Sequence, residues 1–164
     1  INHIKERMPS LSLVDENYGQ LENIDKQDGD MYPLTYPAVL IDLQEVSWSN
    51  LEGRSQKGVA KVNVQLIIDC YDDTHYGSGT MDAIRGRAEM VEELHRLLQG
   101  YRPKDDGAMV RESSKFYTFN HGIKIYESVY SISATDIIKD TQTVAPPRKV
   151  VVSMARMGCG EAST

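Results

Sequence analysis

The residues best suited to chemistry lie close together, in the stretch DCYDDTH between Asp69 and His75. Carboxylates, thiolates and imidazoles are the side chains that bind zinc in proteins, and this stretch supplies all three types. A structural zinc site normally uses four convergent Cys or His ligands, and a catalytic site uses about three protein ligands. The strand predicted to precede this stretch would point Asp69 and Cys70 to opposite sides, because side chains alternate along a strand.

We therefore predict that the carboxylates of this stretch are solvated and that Cys70 lies in the core or in an interface. A small metal-binding domain or metal-dependent enzyme remains the alternative. It would use one cluster of side chains, Asp69, Asp72, Asp73 and His75.

No other motif predicts catalysis. The loop GSGT at Gly77 to Thr80 precedes a predicted helix, whose free N–H groups can hold an anion. It lacks the lysine of the phosphate-binding loop and the third glycine of the dinucleotide fingerprint, so helix capping explains it better. The G-x-S-x-G and H-E-x-x-H patterns do not occur. The sequence thus predicts neither catalytic residues nor a cofactor.

The element that must position the acidic stretch is a strand over Val59 to Tyr71, read as VAKVNVQLIIDCY. Alternate positions of this run are aliphatic, which is typical of a half-buried strand. A second apolar run, PAVLIDL at Pro37 to Leu43, ends upstream, and a helical pattern begins near Met81. We expect the strand to lie centrally, between a partner strand and a covering helix.

The clearest helix is predicted over Thr80 to Tyr101, about five turns long. Its apolar residues recur at intervals of three and four, as on one face of an amphipathic helix: Ile84, Ala88, Val91, Leu94 and Leu98. Ser78 or Thr80 can cap the start, and Gly100 suits the end. The opposite face mixes acidic and basic residues and is predicted to be solvated.

The first third of the chain alternates apolar runs with polar turns. A short helix that ends near Arg7 and one that starts near Pro9 are both compatible with the apolar spacing. The acidic stretch from Asp15 to Tyr32 is predicted to be a loop. Ala38 to Trp48 reads as a long strand, and Ser47 to Gly58 as a long polar hairpin connection.

The second half predicts two further strand regions. Tyr101 to Lys115 is polar and carries the turn signal RPKDDG. Phe116 to Phe119 and Gly122 to Ile137 form the next strand region, which is central or meets a partner because both its faces carry apolar bulk. One face holds Ile123, Ile125 and Val129, and the other holds Tyr126, Tyr130 and Ile132. Arg148 to Arg156 reads as a last strand before a frayed end.

Composition limits the class of protein. The chain has 164 residues, of which 40% are hydrophobic and 26% charged, which is typical of one globular domain. A net charge of -6 weighs against a protein that grips many phosphates. The two cysteines give no disulfide framework, and no apolar run approaches the roughly 18–20 residues that cross a bilayer.

The predicted fold class is α+β: a mostly antiparallel sheet of about four to five strands against one long helix, with a short N-terminal helix. We place one domain at residues 1–140 and a C-terminal extension at 141–164, which holds the terminal strand and the frayed end.

Element order and texture make the chain resemble the tail-terminator and tail-completion proteins of tailed bacteriophages. Four stretches carry the resemblance: YPAVLIDL at Tyr36 to Leu43, QKGVAKVNVQLII at Gln56 to Ile68, the helix Met81 to Leu98, and FYTFNHGIKIYESVYSISATDII at Phe116 to Ile138. The resemblance covers roughly Ile4 to Ile138. It is one of order and texture and carries no catalytic residue to transfer.

What the resemblance implies is a structural virion protein of the tail or neck, present in the host cytoplasm during assembly. Such subunits form a ring, commonly hexameric, that ends the tail tube and joins it to the head connector. The implied partners are other copies of the chain, the tail tube protein and a connector or stopper protein. DNA would pass through the lumen without specific binding, and no membrane is involved.

Surfaces for these contacts are predicted on the doubly apolar strand, the last strand and the hairpin connection. The candidate interface residues are Tyr126, Tyr130, Ile132, Val150, Val152, Arg54 and Lys57. A generic adaptor that binds its partner by strand addition along the last strand is a further alternative.

Overall fold

The computed structural model describes residues 1–24, 34–71, 75–104, 107–120 and 122–137. They form an α+β fold, as predicted, with two helices and one five-stranded mixed sheet. In chain order the elements are α1 (Asn2–Arg7), β1 (Leu13–Glu16), β2 (Ala38–Asn50), β3 (Gln56–Asp69), α2 (Met81–Leu98), β4 (Val110–Phe119) and β5 (Ile123–Asp136).

The sheet has the strand order β1-β2-β3-β5-β4. Strand β1 is parallel to β2, and all other neighbours are antiparallel. Strand β3 lies at the centre, paired with β2 along one side and with β5 along the other, so the predicted central position is confirmed. We call the end near Asp69 and Ile123 the proximal end, and the end near Asn50 and Gln56 the distal end.

The two helices cover one face of the sheet, which we call the helix face. Alternation along β3 directs its aliphatic side chains to this face, where they pack with α1 and α2. The core there includes Ile4, Met8, Leu11, Val64, Leu66, Leu94, Leu98 and Tyr130. The opposite face has a smaller apolar core at its proximal end, formed by Leu21, Ala38, Leu40, Ile67, Ile123 and Ile125. The two faces of β5 are divided as the sequence predicted.

Helix α2 spans 18 residues, about five turns, and both its ends lie inside the predicted range Thr80 to Tyr101. Thr80 is its N-cap residue, and Gly100 follows its end with a positive φ of 80°, a conformation that favours glycine. Burial along the helix is uneven. Leu94 and Leu98 are buried, whereas Ile84 near the start stays 42% exposed.

Other boundaries differ from the predicted ones. The hairpin connection is shorter than predicted, because Ser47 to Asn50 and Gln56 to Gly58 continue the ladder and leave only residues 51–55 as the turn. Strand β1 lies partly within the predicted acidic loop, where Leu13 to Glu16 pair with β2. Strand β4 begins at Val110, inside a stretch predicted to be a polar turn. Cross-strand pairing overrides local composition in all three places.

The N-terminal helix ends at Arg7, which decides between the two compatible readings. Neither described helix has the length and apolarity that crossing a bilayer requires. The predicted last strand at Arg148 to Arg156 lies outside the described residues, as does the rest of the extension beyond residue 140.

Candidate interaction surfaces

The acidic stretch at the end of β3 is only partly described. Asp69 is exposed at the strand end, and Asp72 and Asp73 lie outside the described residues. The Cys70 side chain is half-buried, its Sγ lies 3.7 Å from the carbonyl oxygen of Ile68, and burial raises the pKa of its thiol. Within the described part of the chain, no three His, Cys, Asp or Glu side chains converge as metal ligands would.

The loop before α2 forms a short hydrogen-bonded turn. The Ser78 and Thr80 hydroxyls are 2.9 Å apart, and the Thr80 N–H donates to Ser78 Oγ at 3.3 Å. Gly77 and Gly79 both have positive φ, which accounts for the glycines without a ligand. Thr80 occupies the N-cap position, although its side chain makes no capping hydrogen bond. The predicted capping is therefore met by position but not by a side-chain hydrogen bond.

Tyr130, a predicted interface residue, is buried in the subunit core and only 1% exposed. Its hydroxyl is hydrogen-bonded to Nδ1 of His95 on α2, at 3.0 Å. Burial raises the pKa of Tyr130, and burial together with the nearby Arg111 charge lowers the pKa of His95. Tyr130 therefore fixes α2 to the sheet, and a neighbouring subunit cannot reach it while α2 stays in place.

The other predicted interface residues are spread over the fold. Tyr126 is half-buried on the helix face, and its ring centroid lies 5.4 Å from that of Phe116. Ile132 is half-buried nearer the distal end. Arg54 lies exposed in the hairpin turn and Lys57 exposed on β3. Val150 and Val152 lie outside the described residues, so the structure describes five of the seven predicted interface residues.

The distal part of the sheet carries a second kind of surface, which contains three of the predicted interface residues, Arg54, Lys57 and Ile132. We call this part the arm: residues 43–61 with the paired residues 131–136 of β5. On the helix face of the arm the tip residues Asn50, Gln56 and Asp136 are polar, and the remaining side chains are apolar. The apolar ones are Leu43, Val46, Trp48, Ala60, Ile132 and Ala134. Leu43 is 60% exposed and Trp48 48% exposed, because neither helix extends over them.

Trp48 lies flat across β3 because its cross-strand partner is Gly58. A Cβ atom added to Gly58 would lie 2.7 Å from Cε3 of the indole, closer than real Cβ contacts. The glycine thus makes room for a large exposed aromatic side chain, which is a costly group to leave against water.

The opposite face of the arm is mostly polar. Lys61 forms ion pairs with Glu45 at 3.3 Å and with Glu112 at 3.9 Å. Serines and Lys57 occupy most of the other positions, and Val59 is the apolar exception. The arm therefore has the alternation of a half-buried sheet, with one mainly apolar and one mainly polar side. On the apolar side Ala60 is buried, whereas Leu43 and Trp48 are exposed.

Another exposed apolar region lies at the proximal end, around the start of α2. We call it the proximal patch, and it comprises Tyr71, Tyr76, Met81 and Ile84. Tyr76 is 97% exposed. The sequence placed Ile84 on the apolar face of α2, but it did not show that the helix start extends beyond the apolar core.

A groove on the helix face separates α1 from the base of the arm. It has a volume of about 480 Å³. Its walls include Ile4 of α1, Ile41 and Val62 of the sheet, Leu98 and Tyr101 at the end of α2, and Ile132 of β5. His3 forms part of one wall: its ring stacks on Tyr101 with centroids 3.7 Å apart, and Nε2 lies 3.0 Å from the Leu97 carbonyl oxygen.

Comparison with known proteins adds no family. Neither a scan against models of protein families nor a search of curated proteins found a match to this chain.

Proposed function

We propose that this protein is a structural subunit that assembles head to tail into a ring, at the end of a bacteriophage tail where the tail tube meets the head connector. The arm carries the proposal. It is a sheet whose apolar side leaves Leu43 and Trp48 largely exposed, and exposed apolar side chains of this kind are typical of a surface that a partner covers.

The position of the exposed apolar regions favours a head-to-tail contact. The arm lies at the distal end of the sheet, whereas the proximal patch lies at the other end, around the start of α2. A subunit with two unlike surfaces can bury both by contacting one neighbour on each side. Heterologous contacts of this kind close into rings when the rotation between subunits divides a full turn.

The charge of the chain suits a ring through which DNA passes. The 24 acidic residues outnumber the 18 basic ones, so like-charge repulsion opposes a tight grip on phosphates. The ring would therefore guide DNA without holding it, and the partners would be other copies of the chain, the tube protein and the connector.

Mass photometry and negative-stain microscopy of the purified chain test the assembly. Trp48→Glu in the arm and Ile84→Glu in the proximal patch should each abolish the ring, because each buries a charge in one contact. Val59→Glu is the matched control, since Val59 lies on the same strand pair but on the opposite face and is 41% exposed. It should leave the ring intact.

Mixing the two disrupted variants distinguishes the contact type. A head-to-tail contact leaves Trp48→Glu with an intact proximal patch and Ile84→Glu with an intact arm, so the mixture should form heterodimers and no rings. If the natural chain stays strictly monomeric at high concentration, that result would count against any ring.

The position at the tail has its own test. Rings added to purified phage tail tubes should cap one end of each tube, and tubes that stay uncapped would contradict the phage role.

A further inference from the structure

We infer that two copies of this chain join edge to edge, with strand β2 of the arm pairing antiparallel to strand β4 of the next copy. In this pairing residues 45–50 lie opposite residues 119–114, so the sheet continues from one subunit into the next. The inference rests on the proposed head-to-tail ring, since it specifies the contact that builds the ring. A match between two strand edges of the same chain carries it.

The sheet has two long open edges. Among the described residues, β4 pairs with β5 alone, so its outer edge is open along Val110–Phe119. Within the same part of the chain, β2 pairs with β1 no farther than Ile41, so its edge is open through the arm. The distal end of β5 is closely approached instead, because a Cβ on Gly107 would lie 2.7 Å from the backbone of Ser133. An open edge presents unpaired backbone N–H and C=O groups and favours pairing with another strand.

Strand directions permit this pairing without inverting the neighbour. Three antiparallel steps separate β2 from β4, so the two strands run in opposite directions within one sheet. A copy placed beside the first in the same orientation therefore presents β4 antiparallel to β2, with its helix face on the same side. Trp48 lies in the arm, whereas Phe116 is aligned through Tyr126 with Leu66 in the proximal half. The contact is thus head to tail.

Each open edge has a regular stretch of matching length. The β2–β3 register is irregular between Leu43 and Glu45, and the β4–β5 register is irregular between Arg111 and Ser113. Beyond these irregularities β2 runs regularly over residues 45–50, and β4 over residues 113–119. Since bulges end regular pairing, they limit the contact to these two stretches. All six β2 residues can then face six residues of β4, 114–119.

The side chains on the helix face select the register. Trp48 and Phe116 are the exposed aromatic residues of the two stretches, at 48% and 61% exposed, and both lie on this face. Setting them opposite each other makes an aromatic cross-strand pair, which is of a kind that stabilises antiparallel sheets. The same register makes two further pairs on this face: Val46 with Thr118, and Asn50 with Ser114. Both exposed rings are therefore covered by one contact.

Other registers lose this match. A shift by two residues sets Trp48 opposite Ser114 or Thr118 and leaves the two rings apart. A shift by one residue sets side chains of the helix face against those of the opposite face. In the chosen register the opposite face pairs Ser47 with Tyr117, Ser49 with Lys115, and Glu45 with Phe119. Glu45 keeps its ion pair with Lys61 on the same subunit.

Disulfide cross-linking tests the register. In a Cys70→Ala, Cys159→Ser background, Ser49→Cys chains are mixed with Lys115→Cys chains and oxidised with glutathione disulfide. Opposed residues have Cβ atoms roughly 4.5–5.5 Å apart, near the reach of a disulfide, so heterodimers should form at least about tenfold faster than with Ser114→Cys chains. Ser114 is the matched control because its side chain lies on the other face of the sheet. Equal rates for the two mixtures would overturn the inference, as would homodimers of Lys115→Cys that form as fast as the heterodimers.

Mass photometry of the natural chain separates this result from the ring itself. Rings that form while the Ser49→Cys and Lys115→Cys chains give no heterodimers would overturn the edge pairing and leave the ring standing. Heterodimers obtained with a natural chain that builds open oligomers would support the pairing and contradict the ring. A natural chain that stays monomeric and variants that do not link would contradict both.

The fluorescence of Trp48, the single tryptophan, gives a second measurement. Assembly should shift its emission to shorter wavelength, because the neighbouring copy's Phe116 covers the indole. Phe116→Ala should raise the concentration of half-maximal shift at least about tenfold, since buried aromatic contacts contribute most to such interfaces. Val110→Ala is the matched control, on the same strand, 50% exposed and outside the six pairs. Equal effects of the two variants, or emission that does not depend on concentration in the natural chain, would contradict the pairing.

Discussion

Strands β2, β3 and β5 pass through two differently covered regions of the same sheet. In the proximal half, α1 and α2 cover the helix face, and Leu66 is 0% exposed there. In the arm the same strands stay paired, with one irregularity in the β2–β3 register between Leu43 and Glu45, yet Leu43 on the same face is 60% exposed. Backbone pairing thus continues along the sheet, whereas the covering by helices does not.

This difference shows that the backbone pairing of a strand does not depend on the burial of its side chains. In the arm, β3 keeps backbone partners on both sides, so its hydrogen bonds are satisfied without a covering layer. Leu43 and Trp48 of the arm lack the burial that is the main source of folding free energy. Buried side chains in the proximal half therefore stabilise the fold more than these two exposed side chains do.

The largest expected effect compares two leucines on the helix face. Leu66→Ala should lower the free energy of unfolding by about 2–5 kcal/mol, because it leaves a cavity beneath α2. Leu43→Ala should change it by no more than about 0.5 kcal/mol in the monomer, since that side chain is largely in water. Urea unfolding at low protein concentration measures both, and equal losses would contradict the division into two regions.

A smaller effect distinguishes two glycines beside the arm. A Cβ on Gly107 would lie 2.7 Å from the backbone nitrogen and oxygen of Ser133, which cannot move aside, so Gly107→Ala should cost about 1–3 kcal/mol. A Cβ on Gly58 would instead meet the Trp48 ring. Because that exposed side chain can rotate away, Gly58→Ala should cost less than about 1 kcal/mol.

Urea unfolding compares the two glycine variants, and the fluorescence of Trp48, the single tryptophan, reports on the arm. Its emission should change in Gly58→Ala and stay unchanged in Gly107→Ala. A greater loss of stability in Gly58→Ala than in Gly107→Ala would show that the indole is held rigidly in the arm.

The smallest effect concerns pH and belongs to the covered half. Burial lowers the pKa of His95 below its ordinary 6.5, and the charge of Arg111 lowers it further. The unfolded chain then binds a proton that the folded protein does not bind in the interval below pH 6.5. This contribution to stability is therefore complete above pH 6.5 and is lost as the pH falls toward the lowered pKa of the folded state.

Urea unfolding between pH 5 and 8 measures this dependence. His95→Gln should reduce the loss of stability on acidification, because glutamine does not titrate. A loss that is identical in His95→Gln and the natural protein would place its origin elsewhere.

Alternation and helical spacing predicted the elements that are buried in the subunit. The central position of β3, the presence of α2 and the two apolar faces of β5 all followed from periods of two and 3.6 residues. Strand β1 was not predicted, because four residues in an acidic stretch are too few to show an alternation of apolar and polar side chains. The extra length of the hairpin strands depends on cross-strand partners such as Gly58 and Trp48, which polar composition conceals.

The sequence by itself determined the α+β class, the central strand, the long helix and the lack of a recognised catalytic motif, because these depend on local periodicity and residue type. The tertiary structure decided which apolar side chains are covered. Tyr130 is buried beneath α2, whereas Trp48 and Ile84 are exposed, although all three are apolar or aromatic residues within regular elements. Burial depends on where the helices end over the sheet, and that is set by packing between distant parts of the chain.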